Sequence, residues 1–398
     1  MSGHMNRLRV LPKSIWVLGF VSMLMDISSE MIHSLLPLFM VAVLGTSATV
    51  VGIIEGLAEA TALIVKVFSG VLSDMLGRRK WLAVAGYGLG ALTKPLFAVA
   101  GTAGVVLSAR LIDRVGKGIR GAPRDALVAD VTPPAMRGAA YGLRQSLDTV
   151  GAFAGPLLAV VLMLLTADDF RAVFWVAVVP GFLAVALLIW GVREPAARPE
   201  KPREFPLRWR SLKRLGAPFW QVVIIGAVFS LARFSEAFLV LRAEQLGLGL
   251  AWAPVVMVVM NVTFALSAYP SGAMSDRMDR RYLLAAGCAV LVVADVVLAV
   301  AGHWTWVVVG VALWGLHMGL TQGLLAAWVA DVAPSELRGT AFGTFNLACG
   351  LALLVSSIAA GVAWDVLGSA WTFWLGACLA GLSIAVSLSI RGNTGTAS

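Results

Sequence analysis

The sequence predicts an all-α integral membrane fold: twelve transmembrane helices in two six-helix bundles related by a pseudo-two-fold repeat. Three observations predict it. Of 398 residues, 59% are hydrophobic and 13% charged, with a mean hydropathy of +0.86, whereas soluble domains carry about 25% charged residues. Apolar stretches near the roughly 20 residues a bilayer span needs recur along the whole chain. The chain also repeats itself. Gly70 to Lys80, GVLSDMLGRRK, returns 202 residues later as GAMSDRMDRRY from Gly272 to Tyr282. Val128 to Gly142, VADVTPPAMRGAAYG, returns at a shift of 201 as VADVAPSELRGTAFG from Val329 to Gly343, identical at nine of fifteen positions. A repeat of this length in an apolar chain implies two similar bundles facing each other across a shared cavity.

Residues 1–13 form a short basic lead, and the apolar stretch behind them is too long for a signal-peptide core. Helices are expected near residues 14–44, 49–74, 81–101, 104–131, 137–166 and 171–192, then 217–246, 250–275, 282–301, 304–331, 338–363 and 369–390. The domain organisation is thus an N-terminal bundle over 1–192, a basic linker over 193–216 and a C-terminal bundle over 217–398. Lys and Arg mark the cytoplasmic side of membrane proteins. Every second connection obeys: Arg78, Arg79 and Lys80, then Arg137, the linker, Arg277, Arg280 and Arg281, then Arg338. The opposite connections, such as GTSA at 45–48 and AGTAG at 100–104, hold almost no positive charge. Both termini are therefore expected in the cytoplasm of a bacterial-style inner membrane. Trp304, Trp306, Trp371 and Trp374 near one boundary, with Trp16, Trp81 and Trp220 near the other, fit an interfacial aromatic belt.

The net charge of +9 gathers in these short basic connections rather than in a nucleic-acid-binding stripe. Cys288, Cys349 and Cys378 lie in apolar stretches without CxxC spacing, so neither a disulfide framework nor a thiolate metal site is implied.

Both copies of the first repeat fall in cytoplasmic turns. Asp74, at a helix end beside Arg78 and Arg79, can pair with them or face the positive N-terminus of a neighbouring helix, forming a conformational latch. Gly70, Asp74, Gly77, Arg78 and Arg79 resemble the signature loop of the major facilitator superfamily, G-x3-D-x2-G-[RK]-[RK]. The second copy keeps Gly272, Asp276, Arg280 and Arg281, with Asp279 in place of the second glycine. Arg114 to Gly118, RVGKG, resembles the family's R-x3-G element, which that resemblance associates with proton coupling. Gly151 to Pro156, GAFAGP, is similar to the Gly-Pro element of its antiporters. The resemblance spans the chain and implies secondary transport by alternating access.

Ionisable residues at helix depth cost about 2.5–3.5 kcal/mol each on insertion scales and so mark functional sites. They crowd the first half: Asp26 and Glu30; Glu55, Glu59 and Lys66; Lys94; Arg110, Asp113, Arg114, Lys117, Arg120, Arg124 and Asp125; Arg144 and Asp148. The second half has Arg233, Glu236, Arg242 and Asp295. Asp26, Glu30 and His33 share one helix face, as do Glu55, Glu59 and Lys66. The basic face of the fourth helix is expected to pair with these acidic stripes across the cavity. Pairs within a helix, Arg144 with Asp148 and Asp113 with Lys117, are read as structural. Asp26 and Glu30 repel when both are ionised, so they are expected to share the driving proton. The second half keeps a counterpart, FSEA around Glu236 against SSEM around Glu30. Gly116, Gly118, Gly121 and Pro123 predict a kink or break in the fourth helix.

The expected activity is proton-coupled export of a small cationic or amphipathic solute, with Asp26, Glu30, Glu55, Glu59, Arg114, Lys117, Arg144, Asp148 and Glu236 carrying protons and substrate. The expected partners are solute, protons and lipid, with a monomeric chain, no cofactor and no resident metal. Efflux of a divalent metal held by Asp26, Glu30 and His33 stays open, as does uptake of an anionic metabolite or metal chelate by the basic helix. The sequence lacks H-E-x-x-H, G-x-S-x-G and phosphate-cradling motifs, which disfavours a membrane-embedded enzyme.

Overall fold

The computed structural model describes residues 11–193, 212 and 214–389, apart from 77–78, 134–135, 276–277, 322 and 335–336, and gives the backbone alone for 70–72, 74–76, 269, 273 and 275. Twelve helical spans follow one another: α1 (Lys13–His33), α2 (Ala48–Leu76), α3 (Arg79–Ala98), α4 (Ala103–Val131), α5 (Arg137–Leu165) and α6 (Phe170–Gly191) in the first half. The second half has α7a (Ala217–Ala232) and α7b (Ala237–Gln245), α8 (Val255–Ser275), α9 (Arg280–Val300), α10a (Trp304–Thr321) and α10b (Leu324–Val332), α11 (Arg338–Leu367) and α12 (Ser369–Ser389). Ten of the spans are long and apolar enough to cross a membrane; α3 and α4 fall short, α4 because of its seven charged residues between Arg110 and Asp125. Many large apolar side chains stay exposed, Leu165 at 76% and Trp190 at 83% among them, forming a surface suited to lipid rather than water.

Local chemistry sets the helix ends. Asp169 accepts from the Arg171 and Ala172 amides at 2.9 and 3.1 Å to start α6, and Asp279 accepts from the Arg281 amide at 3.0 Å to start α9. Those bonds and the Arg281 guanidinium hold the Asp279 carboxyl below its ordinary range.

Three spans expected to be continuous are interrupted. The first helix stops at His33 and resumes as a short turn, Leu36–Leu38, and a π-helical turn, Phe39–Val43, because Pro37 has no N–H for the His33 carbonyl. The seventh is open from Arg233 to Glu236, where Ser side chains replace the backbone ladder: the Ser235 amide donates to Ser357 Oγ and the Ala237 amide to Ser235 Oγ, both at 3.2 Å. The tenth parts before Gly323, whose φ of +80° no helix accommodates. The fourth helix, where a kink or break was expected, has no break: it runs from Ala103 through Pro123 to Val131 as one helix. Two of its glycines serve close packing instead: a Cβ at Gly116 would lie 2.6 Å from the Gly86 carbonyl oxygen of α3, and one at Gly118 would lie 2.6 Å from Val65 Cβ of α2.

The cores show how the halves meet. At the end carrying the neutral loops, one cluster joins Phe39, Val51 and Phe174 of the first half to Phe238, Trp314 and Phe373 of the second. Toward the basic loops the core divides in two: Ile15, Tyr87 and Leu188 belong to one cluster, Phe219, Leu284 and Val329 to the other. A carboxylate pins the joined end. Asp365 of α11 accepts from the Ala48 and Thr49 amides at 3.1 and 2.8 Å and from Thr49 Oγ1 at 2.6 Å, capping α2 from the opposite half. The molecule is therefore sealed at one end and divided at the other.

Candidate functional site

The division encloses two adjoining cavities along the interface. One, of about 430 Å³, is lined by Asp26, Glu30, Glu59, Lys66, Lys117, Arg120, Asp148 and, from the second half, Asn261 and Phe264. Lys66 and Gln145 in its wall are exposed, so it opens toward the basic loops. The other, of about 540 Å³, lies deeper, lined by Glu55, Arg110, Arg114, Arg233, Glu236, Met257 and Met318. Glu30, Glu59, Leu63 and Lys117 line both.

Close packing places the acids of α1. Gly151 and Gly155 of α5 let that helix lie on the α1 backbone: a Cβ at Gly155 would stand 2.7 Å from Glu30 Cβ and 2.9 Å from the Ile27 carbonyl oxygen, and one at Gly151 would stand 2.9 Å from Asp26 Cβ. The GAFAGP segment thus forms the bed beneath Asp26 and Glu30.

The basic face of α4 meets the acids of α2 directly. Arg110 grips Glu55 with two bonds, Nε to Oε1 at 3.0 Å and Nη2 to Oε2 at 2.5 Å, and also touches His33 Nε2. Arg114 Nη2 meets Glu59 Oε1 at 2.9 Å. His33 lies 3.7 Å from both Glu30 and Asp113. Asp113 does not pair with Lys117 as expected; helical spacing permits that contact, but Lys94 of α3, fully buried, reaches Asp113 Oδ1 at 2.9 Å and Ser29 Oγ at 3.0 Å. Arg144 does hold Asp148, at 2.9 Å, and Asp125 at 2.8 Å. Bidentate buried pairs fix geometry more than they stabilise, because desolvating both ions offsets most of the attraction.

Other charges are left open. Among the described residues the side chains of Asp26 and Lys117 make no hydrogen bond or ion pair, and neither do those of Arg233 and Glu236, Arg233 lying 5.8 Å from the Phe229 ring. Arg114 Nε and Nη1 and Arg120 Nη1 are buried without partners, Arg120 lying over the Tyr87 ring at 4.9 Å. The opposing wall is mostly apolar: Phe234, Val240, Met257, Met318 and Leu353. Among the described residues no three His, Cys, Asp or Glu side chains converge to hold a metal ion; the Arg110 guanidinium against His33 occupies the nitrogen that such a site would use.

Of the latch residues, Gly77, Arg78 and Asp276 lie outside the described residues, and Gly70 and Asp74 are described by backbone alone, within α2. Arg79 reaches Asp130 at 2.6 Å, and Arg280 pairs with Asp331, the residue that repeats Asp130. The two repeated segments therefore meet each other in both halves. Arg281 instead binds Asp279 at 2.5 Å, and Gly272 is exposed.

Sequence reasoning missed the partner of Lys94 and the capping role of Asp365, because both depend on helix order in space. It also did not foresee that Arg242 caps α9, donating to the Leu298, Ala299 and Ala301 carbonyls at 3.2 Å.

Comparison with known proteins supplies the remaining step. The Major Facilitator Superfamily pattern matches residues 18–357 and 238–395. An uncharacterised MFS-type transporter of Methanocaldococcus jannaschii is 31% identical over 383 residues, 94% of each chain. The inner membrane transport protein YajR of Escherichia coli is 24% identical, covering 97% of this chain and 86% of its own. A POT family transporter solved with 5-aminolevulinic acid superposes with a TM-score of 0.78 at 12% identity over 95% of each chain, and the nucleoside transporter NupG with 0.74 at 13% over 94% of this chain and 98% of its own. At those identities the likeness concerns the fold. With a cavity between two six-helix halves, sealed at one end, and a family match along the whole length, the chain belongs to the Major Facilitator Superfamily and is a multi-pass membrane protein acting as a secondary transporter, not an enzyme.

Proposed function

We propose that the chain exports a small amphipathic solute with a cationic group, in exchange for protons, by alternating access between its two halves. The observation that carries this reading is the asymmetry of the cavity. Unpaired carboxylates, Asp26 in the cavity that opens toward the basic loops and Glu236 in the deeper one, face adjoining spaces that share Glu30, Glu59 and Lys117, and the second-half wall of the deeper one is mostly apolar, with Phe234, Met257, Met318 and Leu353. A cationic head suits the acids and an apolar body suits the methionines, which adapt to varied shapes. Asp26 and Glu30, one turn apart above the α5 glycines, hold the exchanging proton. Glu55, Glu59, Arg114, Lys117, Arg144 and Asp148 set the charge around them.

The basic loops put the open end in the cytoplasm of an inner membrane, with both termini on that side. Residues 1–192 and 217–398 rock as bodies joined by the basic linker 193–216, and the Asp74 and Asp276 loops act as latches. One chain holds a whole cavity, so a monomer suffices.

A second reading, uptake of an organic anion, has support from the buried, unpartnered nitrogens of Arg114 and Arg120. Proteoliposomes separate the two. Under an imposed pH gradient, a panel of fluorescent lipophilic cations, organic anions and divalent metal ions is offered. Lipophilic cations are expected to move, and Asp26→Asn with Glu30→Gln to abolish that movement while the protein stays monodisperse. Gradient-driven movement of anions alone, lost in Arg114→Ala, would overturn the export reading. Cation movement at the wild-type rate in the double variant would place coupling elsewhere.

A further inference from the structure

The repeat aligns Lys94 of α3 with Asp295 of α9, and Asp113 of α4 with Trp314 of α10a, at the shift of 201. The capped carbonyls obey the same shift, though their donors do not: Arg171 donates to the Ala98 and Ala100 carbonyls at 3.1 and 2.9 Å, and Arg242 to those of Ala299 and Ala301. In the first half the aligned positions complete an ion pair, Lys94 to Asp113. In the second half the acid stands alone. Asp295 is 0% exposed, neither of its carboxyl oxygens has a hydrogen-bond partner, and the indole nitrogen of Trp314 is also unpartnered. An ionised carboxylate without a partner is costly at membrane depth, so a neutral carboxyl suits the closed site.

The way to the cavity is short. A Cβ at Gly376 of α12 would stand 2.5 Å from Asp295 Oδ2 and 2.7 Å from Phe234 Cε1, so carboxyl and ring flank the same glycine. Phe234 lines the deeper cavity and sits in the open link between α7a and α7b, packed on Trp314 at 5.1 Å and Phe373 at 5.6 Å. Arg233, the residue before it, lines the same cavity and forms no ion pair among the described residues.

We propose that Asp295 is a second proton-binding site, in the half opposite the charged wall, opened to the cavity when the α7 link withdraws Phe234. In that step the carboxyl O–H breaks, the proton passes to cavity water and leaves as hydronium, and Arg233 compensates the carboxylate. Rebinding a proton from the other side reverses it. The neighbouring elements carry Arg233 and Glu236 on the α7 link, His317 on α10a, whose Nδ1 lies 2.8 Å from the Gly287 carbonyl, and Cys288 on α9, 3.6 Å from Ser383 Oγ of α12; among the described residues none of these is hydrogen-bonded to Asp295. Cys378 of α12 is exposed. The site adds to the proton coupling proposed above but does not depend on which solute is carried.

Infrared spectra of the full chain in lipid test it without any transport assay. The wild type should show a protonated-carboxyl stretch that disappears in Asp295→Asn and persists in Glu244→Gln. In D2O that band should shift faster by about tenfold or more in Phe234→Ala, where the ring no longer limits opening to water. Absence of an Asp295-dependent band overturns the proposal, and so do equal exchange rates with and without the Phe234 ring. Should Asp295→Asn not yield monodisperse protein, carboxyl-labelled aspartate in an Asp26→Asn background separates the band from that of the α1 acids, and Phe234→Ala carries the test; a labelled band whose exchange does not respond to Phe234→Ala overturns the proposal.

Discussion

Replacing Asp365 by alanine removes a tie that exists only while the neutral-loop end is closed. The carboxylate accepts from two amides of the first turn of α2, at 3.1 and 2.8 Å, and from Thr49 Oγ1 at 2.6 Å. Losing a capping side chain costs about 0.5–2 kcal/mol. Because Asp365 is exposed and its partners rehydrate on opening, the net figure should lie toward the middle of that range. An energy of about 1–2 kcal/mol moves a two-state ratio by roughly 5- to 30-fold. The perturbation acts on one state alone, so it should appear in the opening equilibrium rather than in overall stability. Ser357 is the reporter: it is 1% exposed, and a Cβ at Gly52 of α2 would lie 3.0 Å from its carbonyl carbon. In a background with Cys288, Cys349 and Cys378 replaced, Ser357→Cys should react with a membrane-impermeant maleimide, added from the Gly45 side, several-fold faster when Asp365→Ala is present. Thr49→Ala should give a smaller increase and add little to Asp365→Ala. An unchanged labelling rate would show that Asp365 does not hold the end closed.

Three further outcomes follow from the same geometry. Arg110→Ala strands Glu55 in the core and should lower stability by about 3–5 kcal/mol, read as a fall in the tryptophan-fluorescence melting temperature; adding Glu55→Leu should restore much of the loss. Gly155→Leu pushes α5 off α1 and should cost about 1–3 kcal/mol in the same melt, whereas Gly138→Ala, with open space around it, should be neutral or slightly stabilising. Asp130→Asn removes the carboxylate from the partly exposed pair with Arg79 and should change stability by no more than about 1 kcal/mol.

Much of the fold was legible because membrane helices announce themselves by length and hydropathy, and the repeat gave their count and pairing. The interruptions were not. Nothing in ARFSEA marks residues 233–236 as non-helical until Ser357 of α11 is seen supplying a hydrogen bond in place of the helix ladder. Conversely, Gly121 and Pro123 signalled a break that packing of α4 against α2 and α3 overrides. Helical spacing correctly put Asp26 with Glu30 and Glu55 with Glu59 on shared faces. Which acid met which base depended on helix neighbours, so Lys94 to Asp113 displaced the pair expected within α4. The isolation of Asp295 likewise depends on which helices pack on α9, since they bring no hydrogen-bond partner to its carboxyl oxygens.

The placement of the ion pairs bears on how such a molecule can move at all. Among the described residues every ion pair joins two residues of the same half: Arg110 with Glu55, Arg114 with Glu59, Lys94 with Asp113, Arg144 with Asp148, Arg280 with Asp331. Contacts across the halves are of a cheaper kind, such as Asp365 with the α2 amides or Asn261 Nδ2 with the Ala152 carbonyl at 3.2 Å. Separating a buried ion pair costs about 3–5 kcal/mol, while an ordinary hydrogen bond contributes about 0.5–1.5 kcal/mol net. Had the charged network bridged the halves, each rocking motion would have had to break several pairs, and one state would have dominated. Kept within each half and concentrated in the first, the pairs travel with their own bundle past a mostly apolar wall. The two states then differ by a few weak contacts, within the range that binding one solute or one proton can reverse.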